Sequence, residues 1–143
     1  MEDIVDNEMN LKFLNKSENE FLARTAIMGF LSYLNPSMSW MNEIKTAVSE
    51  GVTNSIIHAY DNEDGYVELK ARVNDKKVII EIKDNGKGIK NVDEAKKLNF
   101  HMNFNNERAG MGFQIMEAFV DKMDVKSKLK EGTVVTLEKM LQK

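Results

Sequence analysis

The chain has 143 residues, 42% of them hydrophobic and 30% charged, which suits one packed core and a single domain over residues 1–143 rather than two. A formal charge of −3 and a pI near 5.5 exclude a basic nucleic-acid footprint, so no direct contact with DNA or RNA is expected. The absence of cysteine excludes disulfides, zinc-thiolate sites and thiol nucleophiles; with an acidic, polar start and no apolar run near the ~20 residues that span a bilayer, it points to a cytoplasmic protein without membrane contact.

Met9, Leu11 and Phe13 alternate with polar residues and predict a half-buried strand over 8–14. Ser17 and Glu20 have capping-box spacing, and behind them Phe21, Ala23, Ile27, Phe30, Leu31 and Leu34 predict a helix to about Leu34. Asn35-Pro36-Ser37 breaks it. Ser39 is expected to cap a second, longer helix reaching about Tyr60, with Ile44, Ala47, Val48, Gly51, Val52, Ser55, Ile56 and Ala59 as its buried stripe. Asp61 to Gly65 reads as a turn, Val67 to Val73 as an alternating strand, and Asn74-Asp75 as a tight hairpin turn.

Val78 to Ile82 is a continuous apolar run, as in a central strand, and it leads into Asp84-Asn85-Gly86-Lys87-Gly88. Val92 to Leu98 predicts a short helix, and the polar stretch Asn99 to Ala109 a mobile loop. Gly110-Met111-Gly112 is expected to open another helix, with Ile115, Met116, Phe119 and Val120 buried. Val125 to Leu129, the Glu131-Gly132 turn and Thr133 to Leu137 predict a final hairpin. Together these give an α+β fold, a two-layer sandwich of a mostly antiparallel sheet with helices on one face. The ten methionines read as adaptable core filling.

Several chemistries are excluded by their missing motifs. The chain has no G-x-x-x-x-G-K-[ST] phosphate loop, no G-x-G-x-x-G, no eukaryotic-type kinase set, and only His58 and His101 as imidazoles. What is present comes in three parts. Glu50 and Asn54 lie at i,i+4 on the long helix, their Cβ atoms about 5–6 Å apart on one face that His58 continues. The carboxylate can polarise an attacking hydroxyl, and the amide oxygen can hold Mg²⁺. Alone, such a pair is more often a solvated face.

Asp84, Gly86 and Gly88 close the central strand. A carboxylate there can accept from an exocyclic amine such as adenine's, and glycines let a flat ring approach the backbone; an ordinary Asn-Gly turn reads equally well. Gly110-Met111-Gly112 follows Arg108. Free N–H groups at a helix start attract phosphate and an arginine adds a bidentate contact, although a flexible helix entry beside a surface arginine fits the same residues.

The order and spacing of the three parts resemble the N, G1 and G2 boxes of the ATP-binding superfamily that joins gyrase, Hsp90, histidine kinases and MutL, whose sandwich is of the Bergerat type. Gly132-Thr133 falls where that superfamily places a threonine near adenine, although Thr133 alone reads as a β-branched strand residue. The stretches from Glu43 to Tyr60, Glu107 to Phe113 and Asn7 to Phe13 closely resemble the sporulation anti-sigma F factors, and the likeness covers nearly the whole chain.

That resemblance implies a homodimeric, cytoplasmic regulator that holds a sigma factor away from RNA polymerase and uses Mg-ATP to phosphorylate a serine of an anti-anti-sigma protein. It assigns Glu50 as catalytic carboxylate and Asn54 as Mg²⁺ ligand. Asp84 becomes the adenine reader with Gly86, Gly88 and Thr133 beside it. Gly110, Met111 and Gly112 become the ATP/ADP phosphate cradle, Arg108 the lid residue at the terminal phosphate, and Arg24 the partner contact. Arg24 also reads as a plain exposed helix arginine. The chain departs from the family at residues 99–106, which lack the lysine that relatives often carry there, and His101 reads as a solvated loop residue. A histidine-kinase ATP module, a non-catalytic ATP-gated interaction module and a general-stress anti-sigma kinase share parts of this pattern.

Overall fold

The structure is a computed structural model that describes residues 5–61, 63–97 and 107–143, with only the backbone described at 97 and 107–111. In chain order the elements are β1 (Asn7–Leu14), α1 (Asn19–Leu31), a 3-10 turn (Ser32–Leu34), α2 (Met38–His58), β2 (Tyr66–Asn74), β3 (Lys77–Asp84), α3 (Val92–Lys97), α4 (Glu107–Phe119), β4 (Lys122–Lys128) and β5 (Gly132–Met140). The strands form one five-stranded sheet in the order β1-β2-β3-β5-β4, antiparallel at every pairing. The expected α+β sandwich is therefore present.

Strand alternation sets the layers. Val67, Leu69, Ala71 and Val73 of β2 are buried, as are Val78, Ile80 and Ile82 of β3 and Val135 and Leu137 of β5, while Lys70 and Arg72 face solvent. Ala23, Ile27 and Leu31 of α1 and Trp40, Ile44, Ala47, Val48 and Val52 of α2 complete one core with Met116 of α4. Each fully buried aliphatic side chain here contributes ~1.5–3 kcal/mol. Gly51 brings α2 close to the sheet and to α4: a Cβ there would run into the Ile82 side chain and lie 3.2 Å from the Met116 sulfur.

Four local expectations are corrected. The Ser17–Glu20 capping box does not form: Glu18 occupies the N-cap of α1 without a side-chain cap. The Glu20 N–H donates to the Ser17 backbone carbonyl (3.2 Å), and the Glu20 carboxylate is taken by Arg24 (3.0 Å). Helix α1 ends at Leu31, and the 3-10 turn after it closes on Asn35 in the left-handed region at φ 50. Ser37 rather than Ser39 caps α2, because the chain is extended there (ψ 154) and its Oγ accepts from the Trp40 N–H at 3.1 Å. The β2–β3 turn is Asp75-Lys76, since Asn74 still pairs with Lys77; Asp75 takes φ 59 and its N–H donates to Asp6 Oδ2.

Helix α4 also begins at Glu107, three residues before Gly110. Glu, Arg and Ala are good helix formers and extend it backwards. Gly110-Met111-Gly112 thus lies within α4 rather than at its opening. The predicted loop at 99–106 lies outside the described residues.

Candidate nucleotide and phosphotransfer site

Asp84 is the last residue of β3 and is buried. Its backbone partner across the sheet is Thr133 of β5, so the two side chains share a face. Asp84 Oδ1 accepts from the Gly86 N–H at 3.0 Å, and Oδ2 accepts from the Ser55 hydroxyl at 3.0 Å. Burial pushes the Asp84 carboxyl above the usual carboxylate range, against the opposing pull of hydrogen bonds from Gly86, Ser55 and Thr133.

The loop after Asp84 is held on three sides. The Asn85 N–H donates to the Tyr60 hydroxyl (2.8 Å), which in turn donates to the Tyr66 carbonyl (2.6 Å). The Lys87 N–H donates to the Ala59 carbonyl at the end of α2 (2.7 Å), and the Lys87 carbonyl accepts from the Lys130 N–H (2.8 Å). Gly88 sits at φ 76 with no room for a Cβ against the Lys128 carbonyl. Gly132, at φ 111, lies as closely against the Asp84 carbonyl. Only glycine meets both demands without strain.

Ser127 joins this loop to β5. Its Oγ accepts from the Ile89 N–H at 2.7 Å and lies 2.7 Å from Thr133 Oγ1 and 3.1 Å from the Gly132 carbonyl.

Helix α2 supplies the other half of the site. Asn54 is half-buried, and Gly112 of α4 packs directly on its amide: a Cβ on Gly112 would lie 2.7 Å from Asn54 Nδ2 and 2.9 Å from Oδ1. Gly112 and Asn54 are therefore neighbours. Ser55, the next residue, reaches Asp84. Adjacent positions on one helix so connect the strand-end carboxylate with the glycine segment of α4.

Glu50 is only 5% exposed, which places it off the solvated face that an isolated i,i+4 pair suggests. It lines a polar groove of about 560 Å³ between α1 and α2, together with Glu20, Arg24, Lys45, Ser49 and Thr53. Arg24 is in that groove, paired with Glu20 at 3.0 Å and with its guanidinium 5.3 Å from the Phe21 ring. The candidate catalytic carboxylate and the candidate partner residue thus open onto one surface. His58 continues the row; burial first, then Lys87, hold its imidazole below the ordinary value against the upward pull of Asp61. The side chains of Arg108 and Met111 lie outside the description.

Sequence reasoning passed over Ser55, Tyr60 and Ser127. A hydroxyl at position 55, inside an otherwise apolar buried stripe, was the available signal, because a buried hydroxyl needs a partner. Nothing local marked Ser127.

A buried carboxylate with acceptor capacity, two glycines against backbone and a threonine across the strand fit an adenine with its exocyclic amine. Among the described residues no group of three or more His, Cys, Asp or Glu could hold a metal ion. The half-buried Asn54 amide beside Gly112 offers one hard oxygen of the kind Mg²⁺ takes alongside phosphate and water.

Residues 16–139 match the family described as the histidine kinase-like ATPase domain. The chain is 46% identical over 136 residues to the anti-sigma F factor of Caldanaerobacter subterraneus subsp. tengcongensis, covering 95% of each protein. It is 46% identical over 135 residues to the anti-sigma F factor of Clostridium beijerinckii, covering 94% of each. In fold it is similar to the crystal structure of the RsbU and RsbW domains of Rv1364c from Mycobacterium tuberculosis. The TM-score is 0.70 at 19% identity, and the match spans 94% of this chain and 32% of that one.

Proposed function

The chain belongs to the anti-sigma F factors within the histidine kinase-like ATPase domain family, and from that membership and the site geometry we propose how its residues bind ATP, transfer phosphate and hold partners. It is an ATP-binding anti-sigma factor and protein serine kinase. Its substrate is a serine of an anti-anti-sigma protein, and it works as a homodimer in the cytoplasm. Among the described residues no helix is long and apolar enough to cross a membrane.

The observation that carries the assignment is the convergence on α2. Glu50 faces the groove shared with Arg24, Asn54 touches Gly112, and Ser55 touches Asp84. Asp84 accepts the adenine amine, with Gly86, Gly88 and Thr133 around the ring. Gly110, Met111 and Gly112 lie within α4, so they border the phosphates by the close approach that glycine allows rather than by a helix N-terminus, together with Arg108. The Asn54 amide oxygen would hold Mg²⁺, which when bound would neutralise charge on the phosphates. Glu50 takes the proton of the substrate serine as its oxygen bonds to the terminal phosphorus and the bond to the ADP oxygen breaks. Such transfer depends on positioning and charge neutralisation more than on covalent chemistry, and this pocket supplies both.

Arg24 and the groove beside Glu50 form the partner surface. Size-exclusion chromatography of the chain with its sigma factor in Mg-ATP tests this. Co-elution is expected, and Arg24→Ala weakens it at least ~10-fold, the size of an interface arginine anchor. Because Arg24→Ala also releases Glu20 from its pair, Glu20→Ala is the companion variant. Undiminished sigma binding by Arg24→Ala would remove Arg24 from the interface.

A further inference from the structure

We propose that Ser55 is a positioning residue for nucleotide recognition: its hydroxyl fixes the Asp84 carboxylate as an ionised acceptor aimed at an exocyclic amine. The inference rests on reading Asp84 as the adenine-binding residue and adds to it how that residue is kept competent.

Ser55 lies in the stripe by which α2 packs on the sheet and is 6% exposed. It stands among Ala47, Val48, Gly51 and Val52, where packing calls for no hydroxyl. Its single proton goes to Asp84 Oδ2 at 3.0 Å, while the Gly86 N–H takes Oδ1 at 3.0 Å. A carboxylate has about four acceptor sites. These two donors, with the Thr133 backbone as a third, lock its plane and leave one acceptor site for a ligand. If the carboxyl were neutral, one oxygen would become a donor and would face the N–H of an adenine amine.

The surroundings leave few other groups to hold the charge. Among the described residues the hydrogen bonders acting on the Asp84 carboxyl are Gly86, Ser55 and Thr133, all neutral. From the end of α2, Tyr60 is the titratable side chain that faces it; burial raises the phenol, which stays protonated and is engaged with Asn85 and Tyr66. His58 and Lys87 act on one another and on Asp61. On β2 the residue opposite Asp84 is Val67, which carries no charge. A buried carboxylate without a cation depends on its hydrogen bonds to stay ionised. Ser55 provides the side-chain share of them.

The test is calorimetric titration of wild type and Ser55→Ala with ATP and with inosine triphosphate, from neutral pH down through the carboxylate range to about pH 4.5. Inosine triphosphate presents a 6-oxo acceptor where ATP presents an amine donor. Wild type prefers ATP. Ser55→Ala weakens ATP binding about tenfold at the acidic end, and the wild-type-to-variant ratio grows as pH falls. Both proteins meet the same phosphate ionisation, so the ratio isolates the carboxyl. Inosine triphosphate binding by the variant is undiminished. A ratio that is flat with pH, or equal loss of both nucleotides, makes Ser55 a packing residue and overturns the proposal. If wild type binds both nucleotides equally, the adenine reading of Asp84 itself fails, and the proposal falls with it.

Discussion

Glu50→Ala lowers phosphate transfer to the anti-anti-sigma serine by ~10²–10⁴-fold, the usual size of a lost general base, while ATP and sigma factor still bind. The split follows from position. Glu50 opens onto the groove between α1 and α2, and Asp84 lies at the strand end reached by Ser55, further along α2. Glu50→Ala is therefore expected to spare the proposed adenine end of the site. Glu50 is buried at 5% exposure, so the alanine variant also gives up some packing. Glu50→Gln keeps the volume and separates the two effects. A single-turnover assay at saturating ATP measures the chemical step, and an unchanged rate in both variants would remove Glu50 from it.

Asp84→Asn weakens ATP binding about 100-fold without lowering the stability of the nucleotide-free protein. The first part follows from exchanging an ionised acceptor for an amide, whose N–H₂ competes with the adenine amine; a hydrogen bond to a charged group contributes ~1.5–3 kcal/mol. The second follows from linkage. Burial raises the folded carboxyl above its unfolded value, so the folded state binds that proton more tightly. The ionised group therefore costs stability at pH values above the unfolded range, and the cost is relieved as pH falls through the folded value. The variant carries no such cost. Its melting temperature at neutral pH equals or exceeds that of wild type, and the difference shrinks on acidification. Thermal melts with and without ATP measure both effects. A variant that binds ATP normally contradicts the adenine assignment, and one that melts lower at neutral pH contradicts the linkage.

The parts legible in the sequence were those written in local spacing. The β2 and β3 patterns placed both strands within a residue or two, because alternation of Val67, Leu69, Ala71 and Val73 reports one buried face directly. Glu50 and Asn54 were legible as a helical pair, and Asp84 as the end of an apolar run. Pairings between distant segments left little trace. The Ser55–Asp84 bond spans 29 residues, and the Ser127–Ile89 bond spans 38; neither is implied by local propensity.

The burial of Glu50 also depended on α1 lying across α2, which no i,i+4 pattern conveys. At element ends, short-range competition decided. Ser37 outcompeted Ser39 as a cap because the chain is extended there, just after Pro36, and Glu20 was drawn to Arg24 rather than to its own helix start. Helix α4 ran back to Glu107 on the helix-forming strength of Glu, Arg and Ala.

The central claim is that one pocket binds ATP and passes its terminal phosphate to a partner's serine. Incubation of the chain with Mg-ATP labelled in the terminal phosphate and the anti-anti-sigma protein, followed by mapping of the labelled residue, tests it most directly. Label on a serine of the partner, lost with Glu50→Ala, is the predicted result. Bound ATP with no label on the partner would contradict the claim and leave a nucleotide-gated binding module.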